Sequence, residues 1–171
     1  MKIISTAEAA KRLGVTQSRV QKMIAAKRLK AIKVGRFAEY FVKMEFTLYG
    51  FDVYQAEVDD KGIDFVIRKG HERYFDIQVK SIRGFNYVFF PKRCFELREN
   101  LLAAVVVFLP AQIPEIFLIP SLAWRNPNAL FVSRDYELPT QKSKPEWGLN
   151  LSQRNYELLA AYRFEGRVAC L

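Results

Sequence analysis

The sequence contains few of the residues that build disulfide scaffolds or metal clusters. Two of its 171 residues are cysteine and one is histidine, and none lies at metal-ligand spacing from another. These counts exclude a zinc finger and a disulfide-rich fold. Cys94 and Cys170 are expected to be free thiols in a reducing compartment. His71 is the only histidine and so has no partner for metal binding; it is interpreted as a solvated turn residue.

Long apolar runs are also missing. The longest, "LLAAVVVFL" at 101–109, is too short to span a membrane, and its β-branched residues favour a buried strand. The first residues lack the apolar centre and small-residue cleavage site of a signal peptide. We therefore expect a cytoplasmic protein with no membrane association.

Acidic residues are almost absent from the first fifth of the chain. Residues 1–36 contain ten lysines and arginines against one acid, Glu8, whereas the rest of the chain contains seventeen basic and seventeen acidic residues. The net charge of +9 therefore belongs to this segment. A concentration of positive charge predicts binding to a polyanion, and residues 1–36 are therefore the first place to expect such binding.

Two short helices are predicted within the basic segment. The first begins at Ser5, which lies at capping-box spacing from Glu8, and ends at Gly14. Thr16 is the expected N-cap of the second helix, whose apolar face carries Val20. The opposite face presents Gln17, Ser18, Arg19 and Lys22.

Two helices joined by a tight glycine turn are typical of a helix-turn-helix, which presents side chains to base edges in the major groove. The following "LKAIKVGR" predicts a basic wing in which Lys33 and Arg36 contact phosphates. Residues 5–36 resemble the helix-turn-helix module of the excisionase and MerR-like families. We expect a domain over 1–36 that binds double-stranded DNA. The alternative is a helical hairpin with a solvated basic face, packed on the larger domain.

A different pattern begins at residue 37. "FAEYFVKMEFTLYG" predicts a helix, and three strand-like segments follow it: "FDVYQAEV", "IDFVIR" and "RYFDIQVKSI". A helix followed by a three-strand meander predicts an α/β domain over 37–171. The expected buried face of the helix consists of Phe37, Tyr40, Phe41, Met44 and Leu48.

Polar residues lie at the ends of the second and third strands. Because alternate strand residues share a face, Gln78 and Lys80 point to the same side as Asp76, and Asp64 converges with them if its strand pairs alongside. Carboxylate and amide oxygens are ligands for a hard divalent cation. A neighbouring lysine can orient water or stabilise charge on a phosphate. Asp76 is a second candidate for the carboxylate.

The order of these motifs resembles the restriction-endonuclease-like PD-(D/E)xK nuclease superfamily, and especially its compact intron homing endonucleases. Asp64 in "GID" matches the central aspartate, and Gln78 and Lys80 in "QVK" match the (D/E)xK tripeptide. Glu39 matches the acid of the first helix, with Glu45 as the alternative. Gln78 departs from the usual carboxylate and brings an oxygen without charge.

The resemblance also implies an architecture: helix, three-strand meander, helix, further strands and a C-terminal helix. The second helix would follow a strand within "FFPKRCFELREN", and "AAVVVFLP" and "EIFLIPSLAW" would be the further strands. "EWGLNLSQRNYELLAAYRF" would be the closing helix. The aromatic residues of "GFNYVFFPKRCF" are interpreted as core, with Tyr87, Lys92 and Arg93 bordering a DNA groove.

The function implied is a Mg²⁺-dependent endodeoxyribonuclease, with Mn²⁺ as a substitute, assembled as a homodimer or homotetramer. Asp64, Gln78 and Glu39 would hold the metal and Lys80 would position the attacking water. Ser81 and Arg83 are expected to touch the DNA backbone. The alternative is a non-catalytic DNA-binding regulator of a phage or mobile element, with a degenerate nuclease domain.

Overall fold

The computed structural model divides the chain into two compact units, Met1–Lys33 and Val34–Leu171. It describes residues 4, 6–29, 34–55, 62–71, 73–136 and 143–171. The break lies shortly before the domain boundary predicted at residue 36.

The first unit contains the two predicted short helices. α1 (Thr6–Leu13) is followed by Gly14 at a positive φ of 61°, as expected of a glycine that ends a helix. α2 (Gln17–Ala25) begins after Thr16, whose side chain accepts a hydrogen bond from the N–H of Arg19. Both helices are confirmed.

The predicted wing is only partly within the described residues. Ser5, the expected cap of α1, and Lys33 both lie outside them. Residues 34–36 are helical, because α3 spans Val34–Leu48. The prediction of a wing is therefore wrong for residues 34–36, and Arg36 is an exposed residue of α3.

The helix predicted from residue 37 exists as part of α3, but its buried face was predicted wrongly. The buried residues are Ala38, Val42 and Phe46. Four of the five residues expected to be buried are exposed, namely Phe37, Tyr40, Met44 and Leu48. The helix carries two apolar stripes, and the stripe with the smaller side chains allows the closer approach to the sheet.

The predicted meander is confirmed. β1 (Asp52–Gln55), β2 (Phe65–Lys69) and β3 (Arg73–Arg83) pair in an antiparallel arrangement. In β3, Ile77 and Val79 point into the core beneath α3, as the alternation predicted. The continuation of the first strand beyond Gln55 lies outside the described residues.

The meander belongs to a five-stranded mixed sheet in the order β1-β2-β3-β5-β6. β5 (Leu101–Phe108) runs parallel to β3, and β6 (Glu115–Pro120) pairs with β5 in the antiparallel direction. The two strands predicted for this region are therefore confirmed. A short 3-10 helix, Ser121–Arg125, follows β6.

The second sheet has three antiparallel strands in the order β4-β8-β7. They are β4 (Tyr87–Pro91), β7 (Phe131–Arg134) and β8 (Glu146–Asn150).

The helix predicted within "FFPKRCFELREN" is wrong. The strand part is β4, followed by a 3-10 helix, Lys92–Cys94, and then non-helical chain. Tertiary contacts hold this non-helical chain in place: Phe95 is buried, and the N–H and carbonyl of Arg98 both bond the hydroxyl of Ser121.

The closing helix predicted over 146–164 is also wrong. Its first part is β8, which pairs with both β4 and β7. A 3-10 helix, Tyr156–Tyr162, and the short α4, Phe164–Val168, form the remainder. Two strand partners supply backbone hydrogen bonds that outweigh the helical propensity of this segment.

Two apolar clusters pack against opposite faces of the five-stranded sheet. One lies beneath α3 and α4, and the other lies between this sheet and the second sheet. The predicted α/β class is thus confirmed. Both cysteines are free. Within the described ranges, no helix is long and apolar enough to cross a bilayer.

Candidate functional site

Asp64 lies immediately before β2, where that strand separates from β3. Its N–H donates to the carbonyl of Ile77 (2.9 Å), and its Oδ2 accepts the N–H of Val79 (2.6 Å). Asp64 thus continues the hydrogen bonding between β2 and β3 past the first residue of β2. A hydrogen bond to an ionised acceptor is strong, so Asp64 is fixed against β3.

Gln78 lies between the two residues that Asp64 contacts. Its side chain is only 4% exposed, and its Oε1 is buried without a hydrogen-bond donor among the described residues. An unpaired buried acceptor costs about 1–3 kcal/mol, so such an atom calls for a partner. The amide oxygen of Gln78 therefore fits the role of a ligand to a cation.

Gly62 makes room for Gln78. Its φ is +71°, and a Cβ at this position would come within 3.0 Å of the Cβ of Cys94 and 3.1 Å of the Nε2 of Gln78. Both the backbone conformation and the space favour glycine. The "GID" motif is thus a glycine that admits the amide, followed by the carboxylate beside it.

Lys80 lies two residues further along β3, on the same face as Gln78. Its Nζ lies 5.8 Å from the centroid of the buried Phe90 ring. Lys80 also borders a cavity of about 420 Å³, which Ser81 and Arg83 line as well. The structure therefore brings the predicted lysine and the two predicted DNA-contacting residues to one place.

Glu39 lies on α3, which packs on the face of the sheet opposite to Gln78 and Lys80. One helical turn later, Lys43 lies over the ring of Phe65, the first residue of β2. Glu39 therefore lies on the side of α3 that faces the β2 edge. Glu45 instead lines a cavity with Glu115 and Arg163, on the β6 side. The role of Glu39 at the site stays a prediction.

Asp76, the second candidate carboxylate, is engaged elsewhere. Its Oδ2 accepts from the Nη2 of Arg98 at 2.6 Å. This ion pair anchors the chain that leads into β5. No cluster of three or more His, Cys, Asp and Glu side chains suited to a metal occurs in the described parts of the chain. A metal here would therefore depend on the neutral oxygen of Gln78.

The recognition-helix residues are on the surface of the first unit. Ser18, Arg19 and Lys22 are exposed on α2. Gln17 is exposed too, but its amide donates to the hydroxyl of Thr6 (2.8 Å). Exposed positive charge on a short helix remains suited to DNA.

The aromatic segment was interpreted correctly only in part. Phe90 and Phe95 are buried, whereas Phe89 is 54% exposed. The period of two within β4 could have revealed this, since Phe89 alternates with the apolar Val88 and Phe90. Lys92, expected at a DNA groove, is engaged by Asp135 and lies over the Trp147 ring.

Comparison with known proteins supports the first unit most directly. A family model described as a helix-turn-helix domain matches residues 3–44, which confirms the predicted module. No curated protein matches the chain.

Among solved structures, the chain is similar to Hjc, a Holliday junction resolvase from Archaeoglobus fulgidus. The identity is 16% and the TM-score 0.46, and the match covers 74% of this chain and 89% of Hjc.

Proposed function

We propose that the protein is a divalent-metal-dependent endodeoxyribonuclease that its helix-turn-helix directs to double-stranded DNA. The observation that carries this proposal is the buried Oε1 of Gln78, which lacks a donor among the described residues and is flanked by the backbone groups that hold Asp64. A carboxylate and an amide oxygen held together are an oxygen donor set for a hard cation.

In this proposal Asp64 and Gln78 hold Mg²⁺ or Mn²⁺, and Glu39 contributes through water from the α3 side. The ion would supply Lewis-acid stabilisation of the charge that develops on the phosphate during hydrolysis. The backbone N–H of Val79 holds the Asp64 carboxylate in place, so the ligand needs little rearrangement on binding.

Lys80 acts on the substrate side of the site. Its ammonium donates hydrogen bonds to the attacking water or to a phosphate oxygen, and so aligns the nucleophile and offsets negative charge. Ser81 and Arg83, which line the same cavity, contact the adjacent backbone phosphate. Cutting both strands of a duplex requires two such sites, so the proposal includes a homodimer or homotetramer.

The test is cleavage of supercoiled and linear plasmid by the full-length protein with Mg²⁺, with Mn²⁺ and with EDTA. We expect metal-dependent nicking by the wild type and none by Asp64→Asn. Asp52→Asn is the matched control, because Asp52 also lies on the meander but pairs with Arg68. Equal residual nicking by the wild type and by Asp64→Asn would refute the assignment of Asp64.

The second candidate is a non-catalytic DNA-binding regulator. The neutral Gln78 at a position where a carboxylate is usual favours it, as does the small number of carboxylates at the site. DNA binding without nicking on any DNA form, with either metal, would support the regulator. Gln78→Glu then becomes informative, because a carboxylate there adds the missing charge.

A further inference from the structure

The solvent-facing side of the second sheet carries an aromatic residue beside the candidate site. Along β4, Val88 and Phe90 point into the core, while Tyr87 and Phe89 point outward. Phe89 lies opposite Gly148 of β8, which has no side chain to cover it. More than half of the Phe89 side chain is therefore exposed.

Tyr87 is held flat on this face. A Cβ on Gly148 would lie only 2.1 Å from the Tyr87 hydroxyl, so the ring passes directly over the glycine. The hydroxyl donates to Glu146 (2.8 Å), and the guanidinium of Arg134 lies 4.4 Å from the ring centroid. Tyr87 is thus a fixed part of the surface, and the ring left available for a partner is that of Phe89.

Phe89 is one of the residues that line the cavity bordered by Lys80, and it lies on β4, an edge strand of the second sheet. Among the described residues, those that line it include two cations, Lys80 and Arg83, and no carboxylate. Its volume of about 420 Å³ falls within the range of roughly 300–1,000 Å³ that is usual for small-ligand sites. Asn86 lies at its edge, where its Oδ1 accepts the N–H of Tyr87.

An isolated exposed phenylalanine is common on protein surfaces and needs no explanation by itself. Here it adjoins a positively charged cavity that contains the lysine of the candidate site. A nucleotide has the matching chemistry, because its phosphate suits the two cations and its base has a flat face suited to an aromatic ring. A base paired within a duplex cannot offer that face, because its neighbours already stack on it.

We propose that Phe89, Lys80 and Arg83 form a subsite for an unpaired DNA base next to the phosphate that is cleaved. The inference rests on the proposed function in taking DNA as the ligand, and it adds the substrate class: DNA with an unpaired nucleotide. Phe89 stacks on the base, and the two cations hold its phosphate.

The test uses the full-length protein and short duplexes that carry 2-aminopurine, either in a one-nucleotide bulge or fully paired, in EDTA so that nothing is cut. We expect the bulged probe to bind on the order of tenfold more tightly than the paired one, with quenched fluorescence as the base stacks. Phe89→Ala should remove both the preference and the quenching, and Phe89→Trp should retain them.

Tyr74→Ala is the matched control, because Tyr74 is 49% exposed on β3 but lies away from the cavity. It should behave as the wild type does. Equal binding of the two probes by the wild type, or an unchanged preference in Phe89→Ala, would overturn the inference. So would quenching with an RNA probe and not with DNA.

The outcome is independent of cleavage, because the probe is read without metal. Quenching that depends on Phe89 in a protein that never nicks DNA would refute the proposed nuclease and leave the subsite standing. Metal-dependent nicking with no effect of Phe89→Ala on binding would support the proposed nuclease and refute the subsite.

Discussion

The two units of the chain differ in what they carry on the surface and in what they bury. The first carries the excess positive charge, and its buried apolar residues within the described ranges are Ala10 and Val20. The second is nearly balanced in charge and has two apolar clusters around a five-stranded sheet. Exposed charge gives affinity that changes gradually with each substitution. A buried arrangement gives chemistry that one substitution removes.

The largest effect is expected from Lys80→Ala. Loss of a group that stabilises charge in the transition state should lower the cleavage rate about 10²–10³-fold. Affinity for fully paired DNA should stay nearly unchanged, because we expect that affinity to come from the first unit. Plasmid nicking and fluorescence anisotropy measure the two quantities separately. Lys69→Ala removes a lysine from the far end of β2 and serves as the control. Parallel losses of binding and cleavage in Lys80→Ala would mean that the two units do not divide the work.

A double substitution in the first unit should instead weaken DNA binding. Arg19→Ala with Lys22→Ala should weaken DNA binding about tenfold or more and reduce the slope of log K against log salt by about two, since each lost phosphate contact releases about one counterion fewer. A titration at several salt concentrations measures this. Arg12→Ala is the control, because Arg12 already pairs with Glu8. An unchanged slope in the double variant would place the phosphate contacts elsewhere.

A backbone substitution tests the space around Gln78. Gly62→Ala forces a Cβ into a residue with positive φ, within 3.0 Å of Cys94, so we expect a loss of about 1–3 kcal/mol in the free energy of unfolding. Gly35→Ala is the control, because Gly35 lies in α3 with nothing within 4 Å of the added atom. That change should be neutral or stabilising. Denaturant unfolding of the two variants compares them, and equal stabilities would contradict the account of the "GID" glycine.

The smallest effect concerns pH. The hydrogen bond from Lys92 holds the pKa of Asp135 below its usual value. A lowered folded-state pKa stabilises the protein above the unfolded-state value of about 3.9, and the contribution disappears as pH falls through the folded value. Asp135→Asn should therefore lower the melting temperature slightly at neutral pH, with the difference vanishing in acid. Glu99→Gln, which removes an exposed carboxylate, controls for net charge.

The parts of the fold that were predictable are those with local signals. The Gly14 turn, the Thr16 cap and the alternation around Gln78 each depend on a few neighbouring residues, and the structure confirms them. The position of Asp64 beside β3 followed from pairing adjacent strands, which is also a local step.

The parts that failed depend on contacts distant in sequence. Residues 146–150 form a strand because β4 and β7 pair with them, and Arg98 remains in non-helical chain because Ser121 bonds both its backbone groups. The buried stripe of α3 was likewise decided by how closely the sheet can approach Ala38 and Val42. The sequence pattern within each of these three segments does not reveal the distant partner that determines its structure.

The central position of β5 also has a consequence for motion. Seven of its eight residues are buried, and it pairs with β3 on one side and β6 on the other. Its amides should therefore exchange with deuterium only through global unfolding, whereas β1 lies at the edge of the sheet and is expected to open locally. Asp64 instead bonds to β3, the strand that pairs with β5. The carboxylate is therefore expected to stay on Val79 while β1 opens and closes many times within the lifetime of one folded molecule.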